Sequence, residues 1–188
     1  MIPWYIEILN IIITIVVVGY VFSGIIKFQR LQTGDSIFDK YKIFDWEEFK
    51  WGIMIAAPGV ILHEMGHKFV GLSFDLNAQY EIWITGLLIG VVLRALNTGM
   101  IMLAPGFVVI AGATTTQSAL TAFAGPAVNL ILWLGSYTIL KYYKKLTPKM
   151  EIILIATEKI NMWLFIFNMI PIPPLDGSKV FAPLFNLF

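Results

Sequence analysis

The sequence predicts an all-α membrane protein, a bundle of about four to six transmembrane helices with a small re-entrant or β-like insertion. Of its 188 residues, 58% are hydrophobic and 13% are charged, whereas a soluble domain carries roughly 25% charged residues. The mean hydropathy is +0.79, so much of the apolar surface must face something other than water. Several long apolar runs approach the roughly 20 residues that a helix needs to cross a bilayer.

Composition also excludes several classes of protein. Disordered chains combine low hydrophobicity with high net charge, which is the reverse of this sequence. The absence of cysteine excludes a disulfide-stapled module and a cysteine-ligated metal. A nucleic-acid partner is excluded because 13 Lys and Arg against 12 Asp and Glu provide no basic face. We therefore expect one membrane-embedded domain over residues 1–188, with no soluble domain, and the oligomeric state stays open.

The first two predicted spans flank the most polar stretch of the chain. Residues 6–26 form the first apolar run and residues 51–72 the second. Pro58 is expected to kink the second span, because proline lacks a backbone donor and crowds the preceding turn. The intervening residues 27–50 are interpreted as a loop, with a short interfacial helix around residues 44–51.

The insertion between the second and third spans is predicted in residues 73–119. Two apolar pieces, residues 82–93 and 100–113, are each too short to cross a bilayer comfortably. One interpretation is a tilted pair of spans. We favour re-entrant or sheet-like structure, because residues 80–83 and 107–110 are rich in β-prone side chains. Irregular backbone at membrane depth must be satisfied by surrounding protein.

Two further spans, residues 120–140 and 152–167, complete the predicted bundle. A proline-rich stretch at residues 171–174 follows, and we expect it to be extended because it cannot continue a helix. Basic residues concentrate in segments 27–50 and 141–151, which places both loops on the cytoplasmic side and the N-terminus outside. The expected location is a prokaryotic cell membrane, which the protein crosses several times.

Both histidines of the chain lie in His63-Glu64-Met65-Gly66-His67. Helical residues four apart share a face, so the two imidazoles can converge on one metal ion, with Glu64 beside them. This HExxH arrangement supplies two neutral ligands and a carboxylate that can take a proton from metal-bound water. The alternative is a polar cluster that joins helices, but interhelical hydrogen bonds are worth only about 0.6–2 kcal/mol each. Ionisable groups deep in an apolar run are functional candidates by default.

A catalytic zinc site needs a third protein ligand and an open position for water. Asp176 follows a complete apolar run and lies between the proline-rich stretch and Gly177. An interrupted helix at this point can aim a carboxylate inward. Other acidic residues beside apolar sequence, such as Glu7, Asp75 and Glu81, belong to an interface or flank a loop. The alternative interpretation of Asp176 is that it caps a short last helix.

Three motifs together resemble the site-2 protease family of intramembrane zinc metalloproteases. They occur in the family's order: HExxH at residues 63–67, GPxxN at 125–129 and NxxPxPxxDG at 168–177. The resemblance covers about residues 51–177. It implies a catalytic core over residues 51–188, preceded in residues 1–50 by the first span and its cytoplasmic loop.

The resemblance also implies a role for single residues. His63, His67 and Asp176 would be the ligands of one zinc ion per chain. Glu64 would be the general base, and Asn168 would help to hold substrate or the developing oxyanion. The implied reaction is hydrolysis of a peptide bond within or near the transmembrane segment of a membrane protein, by attack of zinc-bound water on the carbonyl.

The expected partners are the lipid bilayer and a transmembrane protein substrate. Asn129 and the two prolines Pro171 and Pro173 are candidates for substrate binding, although helix packing around Gly125 explains Asn129 equally well. An extended stretch at residues 171–174, or a strand in the insertion, would bind substrate by strand addition. The alternative functions are a membrane metal-ion transporter and a metal-binding helix bundle.

Overall fold

The computed structural model describes residues 2–32, 44–96 and 105–185, and within these ranges the protein is mostly helical. Its elements follow one another in the order α1 (Trp4–Gln32), α2 (Trp46–Ser73), β1 (Asn77–Ile82), α3 (Ile84–Ala95), β2 (Gly106–Ala111), α4 (Thr115–Tyr142), α5 (Pro148–Asn168), α6 (Asp176–Val180) and α7 (Ala182–Phe185).

The four predicted spans correspond to the four long helices, and each helix is longer than predicted. Helix α1 continues to Gln32, through residues that were expected to belong to a loop. Helix α2 begins at Trp46, so the predicted interfacial helix around residues 44–51 is the start of α2. Asp45 Oδ1 accepts two backbone hydrogen bonds from the first turn of α2 and so caps it. The rest of the predicted loop, residues 33–43, lies outside the described residues.

The insertion between α2 and α4 contains a strand at each β-prone segment. Strands β1 and β2 pair in a two-stranded sheet, and α3 lies between them in the sequence. Helix α3 has 12 residues, too few to cross a bilayer. The predicted sheet-like insertion is therefore confirmed for the described residues, which exclude residues 97–104.

Two helices among the described residues are long and apolar enough to cross a membrane: α1, over Trp4–Ser23, and α4. This criterion uses length and composition alone. Helix α2 carries the histidine motif, and α5 carries charged residues in its first half, so both are less apolar. The bundle of about four to six spans remains a prediction.

The chain divides into two compact units. One comprises Met1–Pro58 and Glu81–Phe107, and the other comprises Gly59–Tyr80 and Val108–Phe188. The division falls inside α2, directly after the proline that removes a backbone donor from this helix. Every site residue predicted from the sequence belongs to the second unit.

In the first unit, α3 packs against α1 around a buried arginine. Arg94 Nε and Nη2 both donate to Ser23 Oγ at 3.3 Å, and its guanidinium lies over the ring of Tyr20. Glu48 Oε2 is 4.0 Å from Arg94 Nη2. The charge of Arg94 is thus matched by a carboxylate, a hydroxyl and an aromatic face, as a charge buried in an apolar unit requires.

In the second unit, α4 packs against α5, α6 and α7. A capping box formed by Thr114 and Gln117 begins α4. Helix α5 begins at Pro148, after Thr147, whose side chain accepts a hydrogen bond from the first turn. The buried positions of α4 are small or polar, which leaves room beside this helix for the side chains of α2. These positions of α4 are Thr121, Ala122, Gly125, Pro126, Asn129 and Ser136.

The prediction that the proline-rich stretch is extended is wrong. The backbone N–H of Ile172 donates to Ile170 O, and that of Leu175 donates to Ile172 O, so residues 170–175 form turns between α5 and α6. The fixed φ of proline suits turns as well as extended strands, so proline content alone does not distinguish them. These turns bring Asp176 to the first position of α6.

Candidate metal centre

The two histidines of α2 face each other inside the second unit. His63 and His67 are each 7% exposed, and their ring centroids are 4.7 Å apart. Their Nε2 atoms lie 3.1 Å apart. The convergence predicted from the four-residue spacing is therefore present in the structure.

A third donor atom comes from Asp176, at the start of α6. Its Oδ2 lies 3.2 Å from His63 Nε2 and 3.3 Å from His67 Nε2. The Asp176 carboxylate faces the histidines and does not cap α6, whose N-terminus has no side-chain cap hydrogen bond. An aspartate side chain is ordinarily ionised at neutral pH, so this carboxylate is available as a ligand.

The outer nitrogen of each imidazole is held by an oxygen acceptor. His63 Nδ1 lies 2.6 Å from Asn129 Oδ1, and His67 Nδ1 lies 2.8 Å from the backbone oxygen of Thr121. Because a carbonyl oxygen only accepts hydrogen bonds, each Nδ1 must carry the proton. In the neutral tautomer, each Nε2 is left with a lone pair that points toward the other two donor atoms.

The orientation of the Asn129 amide follows from its other contacts. Asn129 Nδ2 donates to the backbone oxygen of Gly59 at 3.1 Å and to Asn161 Oδ1 at 2.9 Å. A backbone oxygen cannot donate, so the amide nitrogen must face Gly59 and the amide oxygen must face His63. The hydrogen bonds of Asn129 therefore determine the tautomer of neutral His63.

The three donor atoms match the requirements of zinc. Their separations of 3.1, 3.2 and 3.3 Å are close to the roughly 3.3–3.6 Å that separates ligands in a tetrahedral site with bonds of about 2.0–2.2 Å. With both rings in this neutral tautomer, two Nε2 lone pairs and a carboxylate oxygen face one another, an arrangement that a cation among them would stabilise. Among the described residues, His63, His67 and Asp176 form the group that could hold a metal ion.

Two glycines make room for this group. A Cβ atom at Gly125 of α4 would lie against His67 Nε2 and 2.8 Å from His63 Nε2, in the space that the donor atoms face. A Cβ atom at Gly66 would lie 2.8 Å from the backbone oxygen of Ala124, so glycine within the histidine motif lets α2 approach α4. The first residue of the GPxxN element is thus explained by the site and not by helix packing alone.

Glu64 lies beside the donor group without belonging to it. It is 7% exposed and interacts electrostatically with His63, His67 and Asp176. A catalytic zinc site keeps one position open for water, and a carboxylate next to that position can accept the proton of the water. The placement of Glu64 is consistent with this role, which stays a prediction.

The remaining predicted residues differ in their surroundings. Asn168 ends α5, where its Nδ2 donates to the backbone oxygen of Leu164 at 3.0 Å, and Pro171 and Pro173 are exposed in the turns that follow. Within the described residues, these three share no hydrogen bond or ion pair with the donor group. Asn129 is 0% exposed and orients His63, so its contacts are those of a positioning residue, and its role in substrate binding stays a prediction.

Three residues of the site were not predicted from the sequence: Thr121, Gly59 and Asn161. Thr121 and Gly59 contribute backbone oxygens, which leave no signature in the side-chain sequence. Asn161 did leave a signal, because an asparagine inside the apolar run of α5 is expensive in a membrane span unless it has a partner.

Two curated proteins are similar to this chain, and both are provisionally named zinc metalloproteases. One, from Methanocaldococcus jannaschii, is 28% identical over 176 residues, which cover 93% of this chain and 82% of that protein. The other, from Synechocystis, is 34% identical over 127 residues, which cover 68% of this chain and 29% of that protein. No family model matches the chain, and no solved structure matches it. The similarities support a zinc metalloprotease, and neither name specifies cleavage within a membrane.

Proposed function

We propose that this protein is an intramembrane zinc endopeptidase of the site-2 protease type, which hydrolyses a peptide bond within or near a transmembrane segment of its substrate. The observation that carries the proposal is the triangle of His63 Nε2, His67 Nε2 and Asp176 Oδ2, whose edges of 3.1–3.3 Å suit tetrahedral zinc. The similarity to two proteins named as zinc metalloproteases supports the protease activity.

His63, His67 and Asp176 would hold the zinc ion. When bound, zinc lowers the pKa of a coordinated water toward about 7 and polarises a carbonyl oxygen. The protein contributes ligands that are already in the correct tautomer, because Asn129 Oδ1 and the Thr121 carbonyl keep both Nδ1 atoms protonated. Little reorganisation is then needed when the ion binds.

Glu64 acts as the general base of the proposed reaction. Its carboxylate accepts a proton from the attacking water and passes it to the leaving amine nitrogen, which leaves as a neutral amine. Asn168 is the proposed donor to the developing oxyanion, and one such donor is typically worth about 3–4 kcal/mol. To serve this role, its Nδ2 would exchange the Leu164 carbonyl for the substrate oxygen.

The proposed membrane location is supported by the surfaces of the long helices. Large apolar side chains stand exposed on all four of them, for example Ile12 on α1, Phe69 on α2, Ile131 on α4 and Trp163 on α5. Extensive exposed apolar surface is rare on water-soluble monomers and is normal where lipid covers a protein. The length and composition of α1 and α4 agree with this location.

A substrate segment must be extended before its backbone can be attacked, and the sheet offers a template for this. Strand β2 alternates half-buried and exposed side chains, and among the described residues it pairs along one edge, with β1. An unwound substrate segment can add to an unpaired strand edge through main-chain hydrogen bonds. The turns at residues 171–174 do not offer an edge of this kind.

The decisive experiment combines metal analysis of the purified protein with cleavage of a model transmembrane substrate. We expect one zinc per chain and cleavage for the wild type, and retained zinc with a loss of cleavage of about 10²–10⁴-fold for Glu64→Gln. Glu151→Gln, which alters an exposed carboxylate in the first turn of α5, is the matched control and should behave as wild type.

Other results would overturn the proposal. A wild-type protein without stoichiometric zinc points to a purely structural bundle. Zinc-loaded protein whose metal flux survives Glu64→Gln, with no cleavage by either form, points to a metal-ion transporter.

A further inference from the structure

Asn161 of α5 belongs to none of the three motifs, yet it is one of the most deeply buried polar residues described. It is 0% exposed, and its Nδ2 donates to the backbone oxygen of Thr157 at 2.8 Å, one turn earlier in the same helix. This bond leaves Asn161 Oδ1 facing Asn129, from whose Nδ2 it accepts at 2.9 Å. Both amides are therefore oriented without ambiguity, since each nitrogen faces an acceptor that cannot donate.

The hydrogen bonds form one directed chain. Asn161 accepts from Asn129, and Asn129 in turn accepts from the Nδ1–H of His63. The chain joins three helices of the second unit: α5 through Asn161, α4 through Asn129 and α2 through His63. It ends on a proposed metal ligand, at the nitrogen opposite the one that faces the donor group.

Gly59 allows this chain to close against α2. A Cβ atom at residue 59 would lie 2.8 Å from Asn161 Oδ1 and 3.2 Å from Asn161 Nδ2. The same residue offers its backbone oxygen to Asn129 Nδ2 at 3.1 Å. Gly59 lies inside the continuous helix α2, so glycine is not needed there for a turn. Its missing side chain leaves the space that Asn161 occupies.

We propose that Asn161 is a positioning residue of the metal centre, which acts through Asn129 to keep His63 in the tautomer that can bind zinc. This inference rests on the proposed zinc site. Asn129 presents its oxygen to His63 because its nitrogen donates to two acceptors, Gly59 O and Asn161 Oδ1. If the Asn161 acceptor is lost, one of the two contacts that oppose rotation of the Asn129 amide is lost with it.

Rotation of that amide would invert the chemistry at His63. A nitrogen facing His63 Nδ1 would require that Nδ1 accept, so the imidazole proton would move to Nε2. A protonated Nε2 in a neutral ring cannot coordinate a metal. The effect of Asn161 thus reaches the donor group through a change of tautomer, with no direct contact to the metal.

The test compares Asn161→Leu, which keeps the approximate volume but removes the acceptor, with Asn161→Asp, which keeps an oxygen toward Asn129. Zinc affinity of the full-length protein is measured by competition with a chelator. We expect Asn161→Leu to lose about 10–100-fold, the usual effect of removing an outer-shell partner, and Asn161→Asp to retain most of the affinity. Ser136→Ala is the matched control, because Ser136 lies on α4 two turns beyond Asn129 and is also buried.

A second readout uses the two histidines as a built-in comparison. The chain has 2 histidines, so ¹⁵N-histidine labelling of the zinc-loaded protein gives one Nδ1–H signal for each. In Asn161→Leu, we expect the His63 Nδ1–H signal to shift and to exchange faster with solvent. The His67 signal should stay in place, because the Thr121 backbone oxygen holds that nitrogen independently of Asn161.

The possible failures are distinguishable. Wild-type zinc affinity in Asn161→Leu, or equal changes in both histidine signals, overturns the positioning role while leaving the zinc site intact. Absence of zinc from the wild type overturns the proposed function instead. If Asn161→Leu does not fold, the test uses Asn161→Asp and Ser136→Ala. Equal losses of zinc affinity in these two variants overturn the inference. Near-wild-type zinc affinity in both, with only the His63 signal of Asn161→Asp altered, supports it.

Discussion

At the scale of single residues, the state of each imidazole matters as much as its position. His63 and His67 can bind one ion only if both present an unprotonated Nε2, and in the neutral rings the acceptors at Asn129 and Thr121 select the tautomer that does so. A histidine pair that merely joined two helices would have no need to present both lone pairs to one carboxylate. The hydrogen bonds behind the rings therefore argue for a metal as strongly as the HExxH spacing does.

Adding a single Cβ atom at Gly125 tests this arrangement of donor atoms. We expect Gly125→Ala to lose stoichiometric zinc, because the new Cβ would occupy the space faced by both Nε2 atoms. Metal analysis after purification measures the effect. Gly135→Ala, on the same helix with no heavy atom within 4 Å of its Cβ position, should keep its zinc, and helix propensity favours it by about 1 kcal/mol. Equal zinc content in the two variants would contradict the assigned geometry.

At the scale of elements, the connection between α5 and α6 decides where the third donor lies. The turns at residues 170–175 direct the chain back so that α6 starts with its carboxylate at the histidines. Gly177 is buried, and a Cβ there would lie 2.5 Å from the backbone oxygens of Met169 and Ile170. The DG pair of the last motif therefore combines a donor with a residue that permits the close approach of two backbone segments.

We expect Gly177→Ala to weaken zinc binding and thermal stability together, because backbone atoms cannot move aside as the end of a flexible side chain can. Ser178→Ala removes only a hydrogen bond from Ser178 Oγ to Leu175 O, worth about 1 kcal/mol. Thermal unfolding and chelator competition on both variants measure the difference. A zinc affinity of Gly177→Ala equal to that of Ser178→Ala would show that the turn tolerates a side chain.

At the scale of the whole molecule, the proposed ion stabilises the folded chain, because its ligands come from α2 and from the distant α6 and meet only in the native state. A ligand that binds only the native state stabilises it by about 2.7 kcal/mol at 100 times its dissociation constant. We therefore expect a chelator to lower the melting temperature of the wild type and of Glu64→Gln alike. The chelator should have much less effect on Asp176→Asn, which lacks one donor. An identical chelator effect in all three proteins would mean that the metal binds elsewhere.

Much of this protein follows from local sequence. The apolar runs determined where the long helices lie, since an α-helix makes all its backbone hydrogen bonds internally and needs no water to satisfy them. The spacing of His63 and His67 determined their convergence, because residues four apart on a helix are neighbours whatever surrounds them. The β-prone segments around Tyr80 and Phe107 likewise led to strands.

Tertiary structure alone decided how the distant parts meet. Whether Asp176 would reach the histidines depended on the turns after α5, and proline content is compatible with both turns and extended chain. The backbone oxygen of Thr121 holds His67, and that of Gly59 holds the Asn129 amide. Every residue type possesses a backbone oxygen, so no sequence pattern marks these two partners. Local periodicity reports contacts within an element, whereas hydrogen bonds between α2, α4 and α5 depend on packing between elements, and packing is where this site acquires its chemistry.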